Sequence, residues 1–560
     1  MKKRYKILLA ILSLLLAFFV YAFIKVLVFP PKIDKSKITG FSDVHQSDDL
    51  SWVGNNWLRK NKYGLWELYL EGGALDRGLA FGSLTQALNA DKERAFVTEI
   101  RKRVPSGMYF NFLKYLVAWF NRDLEVDIPD EFAKEIYGAS FFMSDEYDFI
   151  APKFHRSLNY HAAHDIGHAL QNLNMVGCTS FALKNQDLDS TPDMLIARNF
   201  DFYFGEQFSK DKIVAFIKPD SGHAFMSVTW AAFSGVVSGM NEHGLTVTLN
   251  SAKSGVMFKA KTPVSIIGRH ILQYASTIRE AYNIAASYDS FVAESFLIGS
   301  AKENDFGLIE KSQGKTVLYR NGKDQMIVTN HYQSDELKDE QNNVAYMAEG
   351  VSQYRHQRVA QLLAQEETIT PNIAATILRD QLGLDGLNVG MANEKTINQL
   401  IAHHSVIFQP HQRRVWVSAS PYQLGAFVCY DLDQIFHSSW PVAPNLAVHI
   451  DSMTIAADPF LYSEEFQKYR TFQQMVSKMT YPDSVGRMQN LSDDDISIFM
   501  ASNPESYLTY YHLGDYYMDR KQYEEAINMY HKGLSKVIAK ASEQRHMEIR
   551  LGTCQEMLKQ

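Results

Sequence analysis

The stretch from Gly177-Cys178-Thr179-Ser180 to Arg198-Asn199-Phe200-Asp201 decides how this chain is read. Cys178 is one of three cysteines, the others being Cys429 and Cys554. Residues 180–183 are short and mostly apolar, and 185–192 are dense in Asp, Asn and Ser. Those side chains hydrogen-bond nearby backbone and favour turns. Residues 194–204 return to apolar and aromatic types, with Arg198 and Asp201 set among them. The pattern predicts a strand–turn–strand hairpin that gathers a thiol, a guanidinium and a carboxylate. A thiol beside a cation or base is activated toward nucleophilic attack. A lone cysteine is more commonly a buried structural residue in an ordinary sheet, and spacing alone favours that reading.

Further motifs lie downstream. They are Gly239-Met240-Asn241-Glu242-His243-Gly244-Leu245, Val328-Thr329-Asn330-His331-Tyr332 and Ser352-Gln353-Tyr354-Arg355. Together with Cys178-Thr179 and Arg198-Asn199-Phe200-Asp201 they follow the order seen in the choloylglycine hydrolase family. The chain also resembles the related penicillin acyltransferase and acid ceramidase group, all N-terminal-nucleophile (Ntn) amidohydrolases. The glycine-spaced phrase from Glu71-Gly72-Gly73 to Phe81-Gly82 is similar to the opening of the penicillin acyltransferase group. Glycines at such spacing allow a tight turn and close backbone packing at a helix start.

The resemblance implies an α+β fold, a four-layer αββα sandwich, and a metal-independent reaction without a cofactor. It also implies roles at matching positions. Cys178 is the nucleophile. Arg198 holds the thiolate or the acyl-side carbonyl, and Asp201 orients the α-ammonium. Asn241 and Asn330 serve the oxyanion, and Arg355 closes the group by pairing with Asp201 or Cys178. An amine freed on Cys178 has a pKa of ~7.7–8.0 and can act as its own general base. Choloylglycine hydrolases expose their cysteine near the chain start, whereas Cys178 is internal. The expectation is therefore self-cleavage between Gly177 and Cys178, glycine tolerating the strained backbone of an N-to-S acyl shift. Residue by residue, plainer readings exist: Asn241 as a turn residue, Asn330 as a strand-end cap, Arg198 with Asp201 as an ion pair, and Arg358 as a competitor of Arg355.

A chain of 560 residues is long for one core. A net charge of −7 is not that of a nucleic-acid-binding protein, and an odd cysteine count argues against a disulfide framework. Residues 1–31 open with Lys2-Lys3-Arg4 and an apolar run over 7–24, followed by no small-residue cleavage site. They read as an uncleaved signal anchor, with a cleaved signal peptide as the alternative. The basic start places the remainder on the extracytoplasmic side, a bacterial periplasm or cell surface; Lys25, Lys32 and Lys35 oppose that orientation.

The expected organisation continues with a pro-region over 32–177, a catalytic domain over 178–455 and a helical tail over 456–560. Within the first, amphipathic helices are expected over 97–122 and 131–143. His161, His164 and His168 share one helix face, a geometry open to a metal, though polar packing is the commoner use. Within the tail, 507–540 carries one tetratricopeptide-like unit through Tyr510, Leu513, Gly514, Tyr517, Ala526, Tyr530 and Gly533. A single copy is expected to dock on its own domain, with a protein-binding platform as the alternative. Phe200, Phe202, Tyr203, Phe204 and Phe208 fit an apolar acyl pocket or a sheet core equally well. The resemblance thus implies a small-molecule amide substrate with an apolar acyl part, cleaved through a thioester on Cys178. Acyl transfer to an amine, or a catalytically silent anchored scaffold, are the other readings.

Overall fold

The computed structural model describes residues 2–104, 106–169, 177–185, 193–253, 260–290, 292–437, 447–481 and 489–560. Strand Thr179–Asn185 pairs antiparallel with Asp193–Asp201, as the apolar runs predict. The turn expected between them falls at 186–192, outside the described residues. Side chains alternate along these strands: Ala182, Met194 and Ile196 face one core, and Phe181, Leu183, Leu195 and Ala197 face another. Both faces are covered, which is why the hairpin reads as continuous apolar sequence instead of a polar–apolar alternation.

The hairpin sits in a seven-stranded antiparallel sheet. Its spatial order is Gln325–Val328, Thr179–Asn185, Asp193–Asp201, Ala402–Gln409, Arg414–Ser418, Phe427–Asp431 and His449–Ile455. An eleven-stranded sheet runs from His45–Ser47 to Lys315–Tyr319. In it Trp66–Gly72 lies parallel to Ile213–Pro219, with Trp66 opposite Ile213. Four strands from before Cys178 therefore belong to the same sheet as those after it.

Between the sheets, Met194, Ile196 and Val406 meet Val214, Phe216 and Leu297. Helices Ala74–Leu84, Asp130–Ser140, Lys153–Ala169, Val264–Tyr274 and Ile278–Ala286 cover the outer face of the larger sheet. Val351–Leu363 and Pro371–Leu378 cover the smaller one. The result is an α+β Ntn-hydrolase-like sandwich with a C-terminal helical extension. Burying one Leu or Phe is worth ~1.5–3 kcal/mol, so the three apolar interfaces dominate what holds the layers together.

The glycine phrase works at a helix crossing. A Cβ on Gly78 would overlap the Glu135 carbonyl, and one on Gly82 would lie 2.6 Å from the Ala139 carbonyl. The close approach of Ala74–Leu84 to Asp130–Ser140 lets Arg77 reach Glu135 at 2.8 Å. Where one helix is expected over 97–122 there are two, Gln86–Arg103 and Gly107–Phe120. Proline at 105 disfavours a helical residue before it and offers no N–H. Ser106 then caps the second helix by accepting from Tyr109 N.

In the tail, Phe466, Tyr469, Phe472, Phe499 and Leu513 pack with Leu400, Tyr422 and Leu424 of the sandwich. Asn393 Nδ2 donates to Val537 O at 2.9 Å, and Lys540 pairs with Glu394 at 2.8 Å. The tetratricopeptide-like pair is Tyr507–Asp519 and Tyr523–Leu534. A side chain on Gly514 would overlap the Tyr530 ring, which is the small-beside-large fit that the sequence suggests. At the other end Lys2–Lys25 forms a helix, and Tyr5–Lys25 is the one span among the described residues long and apolar enough to cross a membrane.

Candidate active site

The hairpin register sets the site. Ser180 lies opposite Arg198 and Thr179 opposite Asn199, and Gly177 N donates to Asp201 O at 3.0 Å. Cys178 therefore enters the sheet beside Phe200, with Arg198 and Asp201 close on the neighbouring strand. Arg198 Nη2 approaches Cys178 Sγ at 3.5 Å. The same guanidinium donates to Val237 O at 2.7 Å, to Ser238 Oγ at 2.5 Å and to Leu249 O, over the Phe200 ring. Burial pushes the Cys178 thiol up, with Arg198 opposing. The group is a thiol held against a cation, enclosed on all sides (1 % exposed).

Arg355, from Val351–Leu363, crosses to the same point. Its Nη1 donates to Cys178 O and to Thr179 Oγ1, both at 2.7 Å, and its Nη2 to Asn330 Oδ1 at 2.7 Å. Arg358 instead forms a two-pronged pair with Asp380, at 2.9 Å on each side. Of the two arginines, only Arg355 reaches the cysteine. Asn330 donates through Nδ2 to Ser251 O and Ser251 Oγ at 3.0 Å.

Asp201 is fully buried between these arginines yet bonds neither. Its Oδ2 accepts from Gln399 Nε2 at 3.4 Å, and its Oδ1 has no hydrogen-bond partner among the described residues. Burial raises its pKa to about 8, with Arg355 and Arg198 limiting the rise. At neutral pH it carries a proton.

Asn241 does not join the group through its side chain. Nδ2 donates to Leu272 O at 2.9 Å and Ala275 O at 2.8 Å, and Oδ1 accepts from His243 N and Leu245 N. Both amide hydrogens are committed to the C-terminal end of helix Val264–Tyr274, so none remains for an oxyanion. Its bonds match the turn reading.

Two neighbours of Cys178 escaped the sequence reading. Gln399 Nε2 donates to Gly177 O at 3.0 Å from a loop 222 residues away, and no local pattern announces it. Asn250 accepts from Ser180 Oγ at 2.7 Å and donates to Val328 O at 3.3 Å, next to the Leu249 carbonyl that holds Arg198. Here a signal existed. In Leu245–Ser251 the residues Thr246, Thr248 and Asn250 alternate with Leu245, Val247 and Leu249, and a buried asparagine inside such a strand needs specific partners.

His161 uses Nδ1 toward Ser157 O at 2.8 Å and accepts at Nε2 from Ser234 N at 2.9 Å, so both nitrogens serve packing. Burial lowers its pKa to about 4. The side chains of His164 and His168 lie outside the described residues. Phe202 and Phe208 line a cavity of about 40 Å³ with Phe96, Tyr160 and Trp230, whereas Phe200 is buried beneath Arg198. A cavity of 760 Å³ is lined by Leu183, Gln325, His356 and Ile369 among others, and includes none of the residues around Cys178. It is a surface groove at the other end of the hairpin.

Residues 188–421 match the family model of acyl-coenzyme A:6-aminopenicillanic acid acyl-transferase, a match that begins ten residues after Cys178. Over 258 residues the chain is 25% identical to an uncharacterized protein of Archaeoglobus fulgidus, covering 44% of this chain and 42% of that one. Over 94 residues it is 29% identical to protein dcd1A of Dictyostelium discoideum, covering 17% and 21%. The chain thus spans less than half the length of either curated relative. Among solved structures, a Caenorhabditis elegans N-acylethanolamine-hydrolyzing acid amidase ortholog aligns at 17% identity and a TM-score of 0.32. That alignment covers 42% of this chain and 93% of the other. A conjugated bile acid hydrolase of Clostridium perfringens aligns at 14% and 0.31, covering 46% and 93%. Through residues 188–421 the chain is related to the choloylglycine hydrolase, penicillin acyltransferase and acid ceramidase-like group of Ntn hydrolases.

Proposed function

We propose that this protein cuts its own Gly177–Cys178 bond and then cleaves linear amides through a thioester on Cys178. The observation that carries the reading is the convergence on that one peptide bond. Gln399 donates to the Gly177 carbonyl, Arg198 faces the thiol, and protonated Asp201 adjoins both. In the first reaction Sγ attacks the Gly177 carbonyl carbon, and the Gln399 amide steadies the oxyanion. Asp201 supplies the proton that the leaving nitrogen needs and recovers the one that the thiol gives up. Water then hydrolyses the thioester, leaving residues 1–177 with a carboxylate and Cys178 with a free amine.

In the second reaction that amine takes the thiol proton, and Sγ attacks the substrate carbonyl. Arg198 stabilises the developing thiolate, and Arg355 fixes the Cys178 backbone and Asn330. Asn250 replaces Asn241 as the first oxyanion candidate because it lies beside the Arg198 anchor. Asn330 is the second, exchanging its Ser251 Oγ contact for the substrate oxygen. The two fragments remain together because both contribute strands to one sheet.

The substrate class is an N-acyl amino acid, an N-acyl amine or a related lipid-like amide, with its acyl part against Phe202, Phe208 and Trp230. The N-terminal helix serves as a membrane anchor, with the sandwich outside the cytoplasm. Helix Gly107–Phe120 supports this, for it exposes Met108, Tyr109, Phe112 and Tyr115. It also lies against the anchor through Phe18–Trp119 ring contact, and Lys25 pairs with Asp123 just beyond it at 3.3 Å. Acyl transfer to an amine uses the same intermediate and differs only in the acceptor.

The test is to express the whole chain, resolve it on a denaturing gel and sequence the N-terminus of any large fragment. A fragment beginning Cys-Thr-Ser-Phe, absent in Cys178→Ala, is the expected result. An intact chain in well-folded protein overturns self-cleavage, and no release of amine from N-acyl amides by the cleaved form overturns the amidase.

A further inference from the structure

Away from Cys178, three ligand-type side chains converge at one end of the larger sheet. His223 precedes strand Phe225–Thr229, and Glu242 and His243 occupy the turn between Ser238–Asn241 and Leu245–Ser251. His243 Nε2 lies 3.1 Å from His223 Nδ1, and His223 Nδ1 lies 3.9 Å from Glu242 Oε1. One donor atom from each of the three lies within 4.8 Å of the other two. With metal–ligand bonds of ~2.0–2.1 Å, donor atoms around a tetrahedral ion stand ~3.4 Å apart. The observed separations bracket that value.

The framework holds these side chains before any ion arrives. Ala224 N donates to Glu242 Oε1 at 2.9 Å, and Glu242 N donates to Ala224 O at 2.8 Å, so the two loops are stitched at the carboxylate. On one side His223 N donates to Gln273 O at 2.7 Å. Gly222, at φ +90°, sits where a Cβ would lie 2.5 Å from that same carbonyl. On the other, His243 N is fixed by Asn241 Oδ1 at 3.1 Å. A hydrogen bond to the carboxylate of a ligand set is the usual outer support of a metal site. His223 and Glu242 are half-buried and His243 is exposed, which leaves an open side for entry and for a water ligand.

We propose that His223, Glu242 and His243 bind a divalent late transition metal, Zn²⁺ foremost. The ion clips the loop before Phe225–Thr229 to the turn after Ser238–Asn241. Two imidazoles and a carboxylate suit Zn²⁺ and Co²⁺, whereas Mg²⁺ and Ca²⁺ prefer oxygen ligands. The site shares no residue with the Cys178 group, so its role is to stabilise the fold. Metal-free chain is expected to cleave itself normally.

The experiment uses the full chain in detergent, stripped with a chelator, titrated with Zn²⁺ by calorimetry and with Co²⁺ by visible absorption. One equivalent of Zn²⁺ is expected to bind with a Kd on the order of 1 µM, and Co²⁺ to show the intense bands of a four-coordinate site. His243→Ala and His223→Ala should each weaken this site by ~100-fold and remove the Co²⁺ bands, and Glu242→Gln should weaken it by ~10–100-fold. These positions are at or near the surface, and unchanged chain cleavage in each variant verifies that it is folded. Absence of saturable Zn²⁺ binding below ~100 µM overturns the proposal. So does binding that survives intact in the His223→Ala/His243→Ala double variant.

Discussion

Two regions of this molecule each bury one carboxylate between two arginines, and they treat it in opposite ways. In the helical layer Glu135 accepts from Arg269 at both oxygens, at 3.0 Å each, and from Arg77 at 2.8 Å. Burial alone would raise its pKa, but Arg269 and Arg77 outweigh burial and hold it low. In the hairpin Asp201 lies between Arg355 and Arg198, yet both arginines give their hydrogens to carbonyls, hydroxyls and Asn330. Burial therefore wins, and Asp201 stays protonated until about pH 8. Equal composition yields a satisfied structural network in one place and a poised proton in the other. A buried group left unsatisfied marks a functional site more reliably than a buried ion pair does.

The largest test of that contrast is removal of the group Asp201 serves. Cys178→Ala should reduce self-cleavage by at least ~10⁴-fold, since a nucleophile acts as a unit with its partners. It should leave the unfolding midpoint in urea close to that of the uncleaved parent. Detectable fragment in the variant would show that another group cuts the chain.

Neutralising the two carboxylates comes next, and the expected effects on stability differ in sign. Glu135→Gln strands two buried guanidiniums and should destabilise the fold by ~3–5 kcal/mol. Asp201 is a different case. Its pKa is raised from 3.8 to about 8, so the folded chain keeps a proton that the unfolded chain releases across that interval. Stability from this group therefore falls as pH rises from about 4 to about 8. Asp201→Asn removes that loss and should stabilise the protein at pH 7 by as much as ~4 kcal/mol. Urea unfolding of both variants in the Cys178→Ala background checks this. Destabilisation by Asp201→Asn at pH 7 would mean that Asp201 is ionised and paired after all. The same variant in the active background should cleave itself ~10²-fold more slowly, for want of the proton donor.

A smaller effect follows from the same proton. If protonated Asp201 supplies the leaving nitrogen, its loss above about pH 8 costs tenfold per unit against the growing thiolate fraction, so the self-cleavage rate should level off there and fall only once the thiol is itself ionised. Burial also raises the Cys178 thiol, which favours the reaction at higher pH, so the profile should be bell-shaped. In Asp201→Asn the descending limb should disappear. A rate that rises without limit through pH 9 in the parent would assign the proton to another group.

Much of this arrangement was legible from sequence, and the illegible parts share a cause. The hairpin follows from periodicity and local turn chemistry, which act over a few residues. Cys178, Arg198, Asn330 and Arg355 lie in ordered motifs and are linked by hydrogen bonds, while Asp201 is buried beside them and bonds Gln399 instead. Strand Ala402–Gln409 was missed because Ala-His-His-Ser masks its first half. Those polar residues are buried against the site, His404 Nε2 meeting Ser238 Oγ at 2.9 Å. Asn241 stands out in sequence because it lies in a distinctive phrase, although distinctiveness there reflects the turn, and Asn250 lies in none of the motifs. Gln399 could not be found from sequence at all, since its contact with Gly177 exists only once the sheet has closed.

That contact gives the smallest and most specific test. Gly177 has no side chain, and a Cβ there would stand 2.9 Å from Gln399 Nε2 and 3.0 Å from Oε1. Gly177→Ala should push the amide off the carbonyl and slow self-cleavage ~10-fold, whereas Gln399→Ala removes the donor outright and should cost ~10²-fold. If glycine matters because of this amide, the double variant should be no slower than Gln399→Ala alone, a coupling of ~1.4 kcal/mol. If glycine matters because the acyl shift needs a strained backbone at residue 177, the two losses should multiply instead. Asp201 would then have no neutral amide relaying its position to the scissile carbonyl. Additivity would thus separate the poised carboxylate from the bond it is meant to serve, while non-additivity would tie Gly177, Gln399 and Asp201 into one device.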